Sequence, residues 1–334
     1  MTITARAMRA AEPLLVIEDL RVHFPTRAGI VKAVDGVSLR IRPGEIVGLV
    51  GESGAGKSVT GLSILGLVDR AGRIAGGRIL FEGADLLPRP EAELRRLRGE
   101  RIAIIFQDPM MTLNPVLRID TQMIEAIRAH HPAVGRHEAS RRAARALAQV
   151  GISAPEQMLK AYPHQYSGGM RQRVAIAIAL INGPRLLIAD EPTTALDTAT
   201  QAQVLHEIQN LCRQRETAIL WITHDLAVVA SLADTIAVMY AGKIVEQGRL
   251  DAVLDQPRHP YTRGLIGSIP SQRRPGEPAQ QIPGMAPPPL AVPAGCGFRD
   301  RCARADDQCS NVPPPVAAAA GHWVHCFHPH LDAP

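Results

Sequence analysis

The sequence predicts an α/β fold with a mostly parallel sheet, and three observations support this prediction. Short apolar runs, typical of buried strands, alternate along the chain with longer stretches that are typical of helices. One such run, residues 45–50, leads into a glycine-rich loop that is followed by a helix-like stretch. Another run, residues 186–190, is almost wholly apolar and ends in a carboxylate. Strands that alternate with helices in this way favour a parallel sheet.

In the N-terminal third, short turns join the first predicted strands. This pattern predicts an antiparallel β flank beside the parallel core. A turn containing Pro and Gly is predicted at residues 25–30. The predicted strands are residues 14–24, 31–41, 45–50, 76–81 and 101–106, and the predicted helices are residues 59–68 and 91–98.

The middle of the chain predicts a helical subdomain at about residues 108–175. Helical patterning covers residues 121–150 with an interruption at 131–135, and Arg141, Arg142 and Arg145 are interpreted as a solvated helix face rather than a nucleic-acid patch. Strands and helices then alternate again. The predicted helices are residues 171–181, 199–215 and 227–233, and the predicted strands are residues 186–190, 218–223 and 235–241.

Composition limits the class of protein. The 334 residues are 46% hydrophobic, which is ample for one large or two modest domains, and the net charge is only +5. No apolar run approaches 18 residues, so no membrane span is predicted. Residues 1–13 lack the apolar core of a signal peptide and are interpreted as a frayed leader, so we expect a cytosolic chain. After residue 257 prolines accumulate and a loop-like extension is predicted.

Residues 51–58 match the phosphate-binding pattern G-x-x-x-x-G-K-[ST] between a predicted strand and a predicted helix. The glycines let the backbone turn several N–H groups inward toward an anion. Lys57 brings a positive charge to the β- and γ-phosphates, and the Ser58 hydroxyl can bind Mg²⁺. The predicted ATP-binding residues of this segment are Gly51, Glu52, Ser53, Gly54, Ala55, Gly56, Lys57, Ser58 and Val59.

Two adjacent carboxylates end the predicted strand at residues 186–190. Asp190 is placed to hold Mg²⁺ together with Ser58. Glu191 could polarise the water that attacks the γ-phosphate, which we favour over helix N-capping, the alternative suggested by the proline that follows it. The motifs that accompany these carboxylates in the sequence support the catalytic interpretation.

Three further side chains are candidates for the same site. His224 follows a predicted strand and could sense the γ-phosphate, although a structural role is the alternative. Gln107 also ends a predicted strand and could bind both Mg²⁺ and the attacking water. Phe24, upstream of the glycine-rich loop, could stack on adenine or pack in the core.

A second anion site is predicted at Ser167, Gly168, Gly169 and Met170, which precede a helix. Two phosphate sites on one chain are useful if two chains pair head-to-tail, with each loop closing over the partner's nucleotide. Taken alone, the segment could equally be a linker turn. Asp197 could join the seam of such a dimer.

These motifs occur in the order typical of ATP-binding-cassette ATPases, which the chain resembles over about residues 14–250. The resemblance implies a P-loop, RecA-like core with an antiparallel flank and a helical subdomain. It implies that two subunits enclose two ATP molecules, that Glu191 and His224 carry hydrolysis, and that Asp197 and residues 167–170 face the partner's nucleotide. It also implies Mg²⁺ bound by Ser58, Gln107 and Asp190.

Four segments resemble the subfamily that serves oligopeptide and dipeptide importers, namely residues 105–115, 162–173, 259–262 and 295–302. The subfamily usually has Cys-Pro-Phe where this chain has Gly297 after Cys296, which loosens the turn without removing a ligand. The resemblance implies an ATPase domain at 14–256 and a C-terminal extension at 257–334.

As expectations from the same resemblance, the chain drives peptide uptake from the cytoplasmic face of the inner membrane. Its partners would be two membrane-spanning permease subunits, a second related ATPase subunit in a heterodimer, and an external solute-binding protein, with no nucleic acid. A permease coupling helix would enter a groove between the Gln107 loop and the helical subdomain. Nickel or another small solute is an alternative cargo, and a soluble cassette ATPase acting on DNA or ribosomes is a second alternative.

Five cysteines occur in the chain, and four of them lie in the proline-rich extension. Their spacing suits a [4Fe–4S] cluster better than zinc, which more often shows a C-x₂₋₄-C pair. A zinc site and reduced, unliganded thiols are the alternatives. The isolated Cys212 is interpreted as a buried apolar residue, and the histidines near residue 326 are interpreted as surface residues. The four candidate ligands are Cys296, Cys302, Cys309 and Cys326.

Overall fold

A computed structural model describes residues 12–193, 198–268 and 281–330, without the side chains of residues 198–200. The strands of this part are β1 Leu15–Thr26, β2 Gly29–Ile41, β3 Ile46–Val50, β4 Arg73–Phe81, β5 Ala84–Asp85, β6 Ile102–Ile105, β7 Leu186–Asp190, β8 Ala218–Thr223, β9 Thr235–Tyr240, β10 Lys243–Arg249, β11 Pro315–Ala319 and β12 His322–His325. The α-helices are α1 Lys57–Ile64, α2 Glu91–Leu97, α3 Ile119–Arg128, α4 Arg136–Gln149, α5 Pro155–Met158, α6 Gly168–Leu180, α7 Thr198–Arg215, α8 Leu226–Leu232, α9 Leu250–Asp255 and α10 Pro260–Gly267.

An eight-stranded sheet forms the centre of the protein, in the order β11-β12-β10-β9-β3-β8-β7-β6. The five strands β6, β7, β8, β3 and β9 are mutually parallel, while β10, β12 and β11 join as antiparallel neighbours. Successive side chains of β3 enter different apolar clusters, with Ile46 and Val50 in one and Val47 and Leu49 in the other. The sheet is therefore covered on both faces, as buried parallel strands require. The prediction of an α/β fold with a mostly parallel sheet is confirmed.

The predicted antiparallel flank is a separate four-stranded sheet in the order β2-β1-β4-β5. Its first turn is tighter than the predicted one at residues 25–30, because Thr26 already pairs with Gly29. Pro25 is tolerated inside β1 because β4 pairs with β1 only from Leu15 to His23, so that Pro25 has a neighbour on one side only.

The helices α3 to α6 pack beside the central sheet and bury an apolar face that includes Met123 and Leu147. Arg141 and Arg142 lie on the opposite, exposed face of α4, where both pair with Glu138. Arg145 is exposed as well, so all three arginines face solvent, and the absence of a nucleic-acid patch stays a prediction. Within the described parts of the chain, no helix is both long and apolar enough to cross a membrane.

The C-terminal extension is more ordered than the predicted loop, since β12 pairs with β10 and β11 pairs with β12. The buried carboxylate of Glu246, in β10, accepts the backbone N–H groups of Arg258 and His259 at 2.7 and 2.8 Å. It also lies 2.7 Å from Nε2 of His322, which is buried and not at the surface as expected. A buried carboxylate is costly unless several donors surround it, so this contact joins the extension firmly to the sheet.

Candidate nucleotide-binding site

Three neighbouring parallel strands bring the predicted phosphate, metal and catalytic residues to one edge of the sheet. The loop 51–58 follows Val50 at the end of β3, and Val50 pairs with Thr223 of β8. Asp190 ends β7 and pairs with Ile222 of β8. Because carboxyl ends of parallel strands meet at one edge, residues distant in sequence meet there.

The glycine-rich loop has the tight backbone that its sequence predicts. Gly56 precedes α1 with φ of +102°, and a Cβ there would lie 2.2 Å from the carbonyl oxygen of Ala33. Only glycine fits this conformation and this close approach. The buried Lys57 ammonium donates hydrogen bonds to the carbonyl oxygens of Gly51 at 2.7 Å and Glu52 at 3.0 Å. Burial lowers the pKa of Lys57, and the negative charges of nearby carboxylates partly offset this shift.

The two predicted Mg²⁺ ligands lie in direct contact. Ser58 Oγ donates a hydrogen bond of 2.9 Å to Oδ1 of Asp190. Burial raises the pKa of Asp190, while the Ser58 hydrogen bond opposes this shift. A hydroxyl and a carboxylate are the oxygen ligands that Mg²⁺ prefers, so this pair fits the ion. Gln107 is exposed just beyond β6, the neighbour of β7, and so lies at the same edge of the sheet.

Glu191 and His224 form the pair that could activate water. Oε1 of Glu191 lies 3.0 Å from Nδ1 of His224. Glu191 has φ of +47°, which is uncommon for a residue other than glycine, and its N–H donates to Ile222 O at 2.9 Å. The nearest helix after it that the structure describes, α7, begins at Thr198. The Glu191 carboxylate therefore lies against His224, which supports the catalytic interpretation over N-capping without excluding a cap formed through residues 194–197, which lie outside the described part of the chain.

The second predicted anion site is the exposed N-terminus of α6. Ser167 caps the helix, and its Oγ accepts the N–H of Met170 at 3.3 Å. Ser167 and Gly168 are both exposed, and a Cβ at Gly168 would meet nothing within 4 Å. The segment thus begins a 13-residue helix and is not merely a linker turn. Asp197, the predicted member of a dimer seam, lies outside the described residues.

Phe24 lies half-buried in β1 against the antiparallel sheet. A Cβ at Gly72 would come within 2.5 Å of its ring, so Phe24 and Gly72 pack closely. This contact favours the packing role, and stacking on adenine stays a prediction.

The four cysteines of the extension line one small pocket, together with His259, Phe298 and His328 among others. Cys309 and Cys326 are buried, and Cys296 and Cys302 are partly buried. Burial raises the pKa of Cys326 to about 11 and raises the pKa of Cys296 and Cys302. Asp306 and His328 add an oxygen and a nitrogen ligand near Cys309, with the three ligand atoms within 4.8 Å of one another.

The four thiols thus reach one pocket from widely spaced positions, and among the described residues only Cys309 of the four belongs to a group of candidate metal ligands within 4.8 Å of one another. In contrast, Cys212 is buried in the core of the ATPase region, as predicted, and its pKa is raised to about 12 by burial.

Contacts from the C-terminal extension to the phosphate loop were missed by the sequence interpretation. Arg301 forms a two-point ion pair with the Glu52 carboxylate, at 2.8 and 3.1 Å. The Tyr261 hydroxyl accepts the Glu52 N–H at 2.9 Å. No local pattern in the sequence signals these contacts, because the partners are 249 and 209 positions apart.

Comparisons with known proteins agree with this geometry. The ABC transporter family model matches residues 34–194, and the model of the oligopeptide/dipeptide transporter C-terminal region matches residues 245–309. The chain is 45% identical over 98% of its length to the oligopeptide transport ATP-binding protein OppD of Salmonella typhimurium, covering 98% of that protein. It is 47% identical to AppD of Bacillus subtilis, an oligopeptide transport ATP-binding protein, over 94% of this chain and 96% of that one.

A relative with a different named cargo is the probable D,D-dipeptide transport ATP-binding protein DdpD of Escherichia coli, at 45% identity over 96% of this chain and 98% of the relative. Among solved structures, the dimeric ATP-binding cassette MJ0796 bound to ADP and Pi is similar with a TM-score of 0.64 and 28% identity. That match covers 71% of this chain and 98% of MJ0796.

Proposed function

We propose that this chain, which belongs to the ABC transporter family as the ATP-hydrolysing subunit of a peptide importer, hydrolyses ATP at the ends of β7 and β8. The observation that carries this proposal is the adjacency of two pairs, Ser58 with Asp190 and Glu191 with His224. The first pair is placed to hold Mg²⁺. The second is placed to take a proton from water.

The loop 51–58 binds the ATP phosphates through its N–H groups and through Lys57. The Lys57 ammonium donates hydrogen bonds to carbonyl oxygens of the loop. The charges of Asp190 and Glu191 lie close enough to raise its pKa, against the effect of burial. Mg²⁺, when bound, neutralises charge on the phosphate oxygens. Glu191 accepts a proton from the attacking water, and His224 orients the carboxylate at 3.0 Å. Gln107 closes the site from the neighbouring strand.

A second subunit completes the site. Ser167 and Gly168 are exposed at the N-terminus of α6, where free N–H groups favour an anion brought by another molecule. We infer that these residues, with Gly169, Met170 and Asp197, face the γ-phosphate held by a related ATPase subunit in a heterodimer. ATP then closes the dimer and hydrolysis reopens it.

The permeases dock beside Gln107. Two large apolar side chains shortly after it are strongly exposed, Met111 at 70% and Val116 at 76%. Exposed apolar side chains grouped in this way mark an interaction surface. We propose that a coupling helix of each membrane-spanning permease covers them and that the chain works on the cytoplasmic face of the inner membrane. An external solute-binding protein would supply the peptide. The relatives named for oligopeptide and dipeptide transport favour this cargo over nickel or another small solute, and they favour an importer over a soluble ATPase acting on DNA or ribosomes.

Membrane docking is tested with the double variant Met111→Glu, Val116→Glu. We expect the purified variant to hydrolyse ATP in solution, while co-sedimentation with membranes and cellular uptake of a labelled tripeptide are lost. The matched control is Met285→Glu, since Met285 is 88% exposed but lies in the C-terminal extension. Unchanged uptake and sedimentation of the double variant would contradict docking at this surface.

Hydrolysis is tested with Asp190→Asn in the purified chain. Phosphate release should require Mg²⁺ in the wild type and should fall at least about 10²-fold in the variant, because the carboxylate that holds the ion is lost. Asp255→Asn, on an exposed residue that ends α9, is the control. Wild-type protein that neither binds nor hydrolyses ATP would contradict the proposed function.

The four-cysteine pocket holds a [4Fe–4S] cluster of structural rather than catalytic use, since ATP hydrolysis transfers no electrons. The support for this proposal is that all four thiols line one pocket. Anaerobically purified protein should contain about four iron atoms and equal sulfide per chain, and Cys309→Ser should reduce both. One zinc per chain would favour the zinc alternative, and metal-free protein would favour reduced thiols.

A further inference from the structure

We propose that Arg301 and Tyr261, both on the C-terminal extension, are positioning residues of the phosphate-binding loop. The two side chains hold a single loop residue, Glu52, by its carboxylate and by its backbone N–H. The extension would thereby set the ATP affinity of a loop that lies far from it in sequence. This inference rests on the proposed binding of ATP at residues 51–58.

The Arg301 guanidinium is fixed from several sides. Its side chain is only 8% exposed, and its two terminal nitrogens donate to the two carboxylate oxygens of Glu52 at 2.8 and 3.1 Å. Nε donates to the carbonyl oxygen of Pro283 at 2.7 Å, and one terminal nitrogen also donates to the Tyr240 hydroxyl at 3.2 Å. A planar two-point contact of this kind fixes both distance and orientation, which a lysine would not reproduce.

Tyr261 holds the backbone of the same residue. Tyr261 lies on α10 and its ring is fully buried. The centroid of the ring lies 4.6 Å from that of Tyr240 and 5.4 Å from that of Phe298. Its hydroxyl accepts the N–H of Glu52 at 2.9 Å. The aromatic cluster therefore anchors the hydroxyl at a fixed distance from the loop.

The position of Glu52 affects the phosphate site because Glu52 contacts Lys57. The carbonyl oxygen of Glu52 accepts a hydrogen bond from the Lys57 ammonium at 3.0 Å, so the loop backbone and the ammonium are placed together. Arg301 also compensates the negative charge of Glu52. Without this compensation, a carboxylate in the loop would repel the phosphates.

The same arginine connects the loop to the cysteine pocket. Arg301 ends the short 3₁₀ turn Arg299–Arg301, and the next residue is Cys302, which lines the pocket. The turn packs through Phe298 against the aromatic residues that hold Tyr261. The phosphate loop and the cysteine pocket are thus joined by one short turn.

A double-mutant cycle on the full-length purified chain tests the proposal, with the dissociation constant of a fluorescent ATP analogue as the readout. Arg301→Gln leaves the Glu52 carboxylate uncompensated, and we expect the dissociation constant to rise about tenfold. Glu52→Gln should change it about threefold or less. The double variant should resemble Glu52→Gln alone, because the uncompensated charge is then absent.

Recovery of affinity in the double variant separates positioning from a general loss of structure. A destabilised extension would not be repaired by Glu52→Gln. Arg299→Gln is the matched control, since Arg299 lies on the same turn but pairs with the exposed Asp300. This control should bind the analogue with wild-type affinity.

Tyr261→Phe provides an independent variant that keeps the buried ring. It removes the acceptor of the Glu52 N–H, and we expect the dissociation constant to rise about threefold or more. If wild-type protein binds the analogue and both Arg301→Gln and Tyr261→Phe bind it equally well, the inference is wrong. Weakened binding of Arg301→Gln that Glu52→Gln does not restore would also overturn it. Failure of the wild type to bind would instead contradict the proposed function.

Discussion

Replacing Glu191 with Gln should separate ATP binding from ATP hydrolysis. The amide has nearly the shape of the carboxylate and can still contact His224, which lies 3.0 Å from Oε1. The backbone should also be retained, because the N–H of residue 191 donates to Ile222 O at 2.9 Å whatever the side chain. The perturbation is therefore confined to the loss of a proton acceptor and a negative charge.

The expected magnitude follows from this confined loss. A positioned general base contributes about 10²–10⁴-fold to a rate, so the turnover number should fall by about that factor. ATP affinity should not fall, because Glu191 lies against His224 and is proposed to act on the attacking water, not to bind the phosphates. Removing a negative charge beside the phosphates reduces repulsion, so affinity should stay the same or rise. Bound ATP should then accumulate in a closed dimer.

The assay combines phosphate release at saturating ATP with sizing of the protein in the presence of Mg²⁺ and ATP. Glu216→Gln is the matched control, because Glu216 also has positive φ, at +53°, and precedes β8 at the opposite edge of the sheet. The control should hydrolyse ATP at the wild-type rate. Hydrolysis by Glu191→Gln within a fewfold of the wild-type rate would refute the role of Glu191 as the base.

Three further variants test the loop and the attachment of the extension. Lys57→Ala should weaken ATP binding at least about tenfold, because the charge on the β- and γ-phosphates is lost, whereas Lys160→Ala at an exposed position should leave the dissociation constant unchanged. Gly56→Ala should abolish ATP binding in a titration, since the added Cβ would lie 2.2 Å from Ala33 O; near-normal affinity would contradict the described loop backbone. Glu246→Ala should lower the free energy of unfolding by about 3–5 kcal/mol and speed proteolysis of the extension, because His322 and two backbone N–H groups lose their acceptor. Gln247→Ala is its control, and equal proteolysis of the two variants would exclude Glu246 as the attachment point.

Local patterns in the sequence were sufficient for the central fold and for much of the site. Strand β8 begins and ends where predicted, at Ala218–Thr223, because its apolar run is continuous. The predicted pairs of Ser58 with Asp190 and Glu191 with His224 follow from motifs at the ends of neighbouring parallel strands.

The C-terminal extension was predicted less well because long-range contacts define it. No strand is predicted from the sequence at residues 243–249, yet β10 carries the buried Glu246 that attaches the extension. His322 was assigned to the surface because no local pattern shows that a carboxylate 76 positions away will bury it. Arg301 was overlooked for the same reason, since its partner Glu52 is 249 positions away.

The central claim is that each nucleotide site is completed by a second subunit, and mixing two inactive variants tests it most directly. Glu191→Gln removes the base from the side of the site that binds ATP, and Ser167→Arg disables the loop that faces the partner's nucleotide. The variants are assayed separately and together, at a concentration at which the wild-type chain alone hydrolyses ATP, so that a second copy of this chain stands in for the related subunit of the proposed heterodimer. In a mixed dimer one site combines an intact loop 51–58 and Glu191 with an intact Ser167, so phosphate release should recover to a sizeable fraction of the wild-type rate. A mixture that stays as inactive as its components would show that the two halves do not come from different chains.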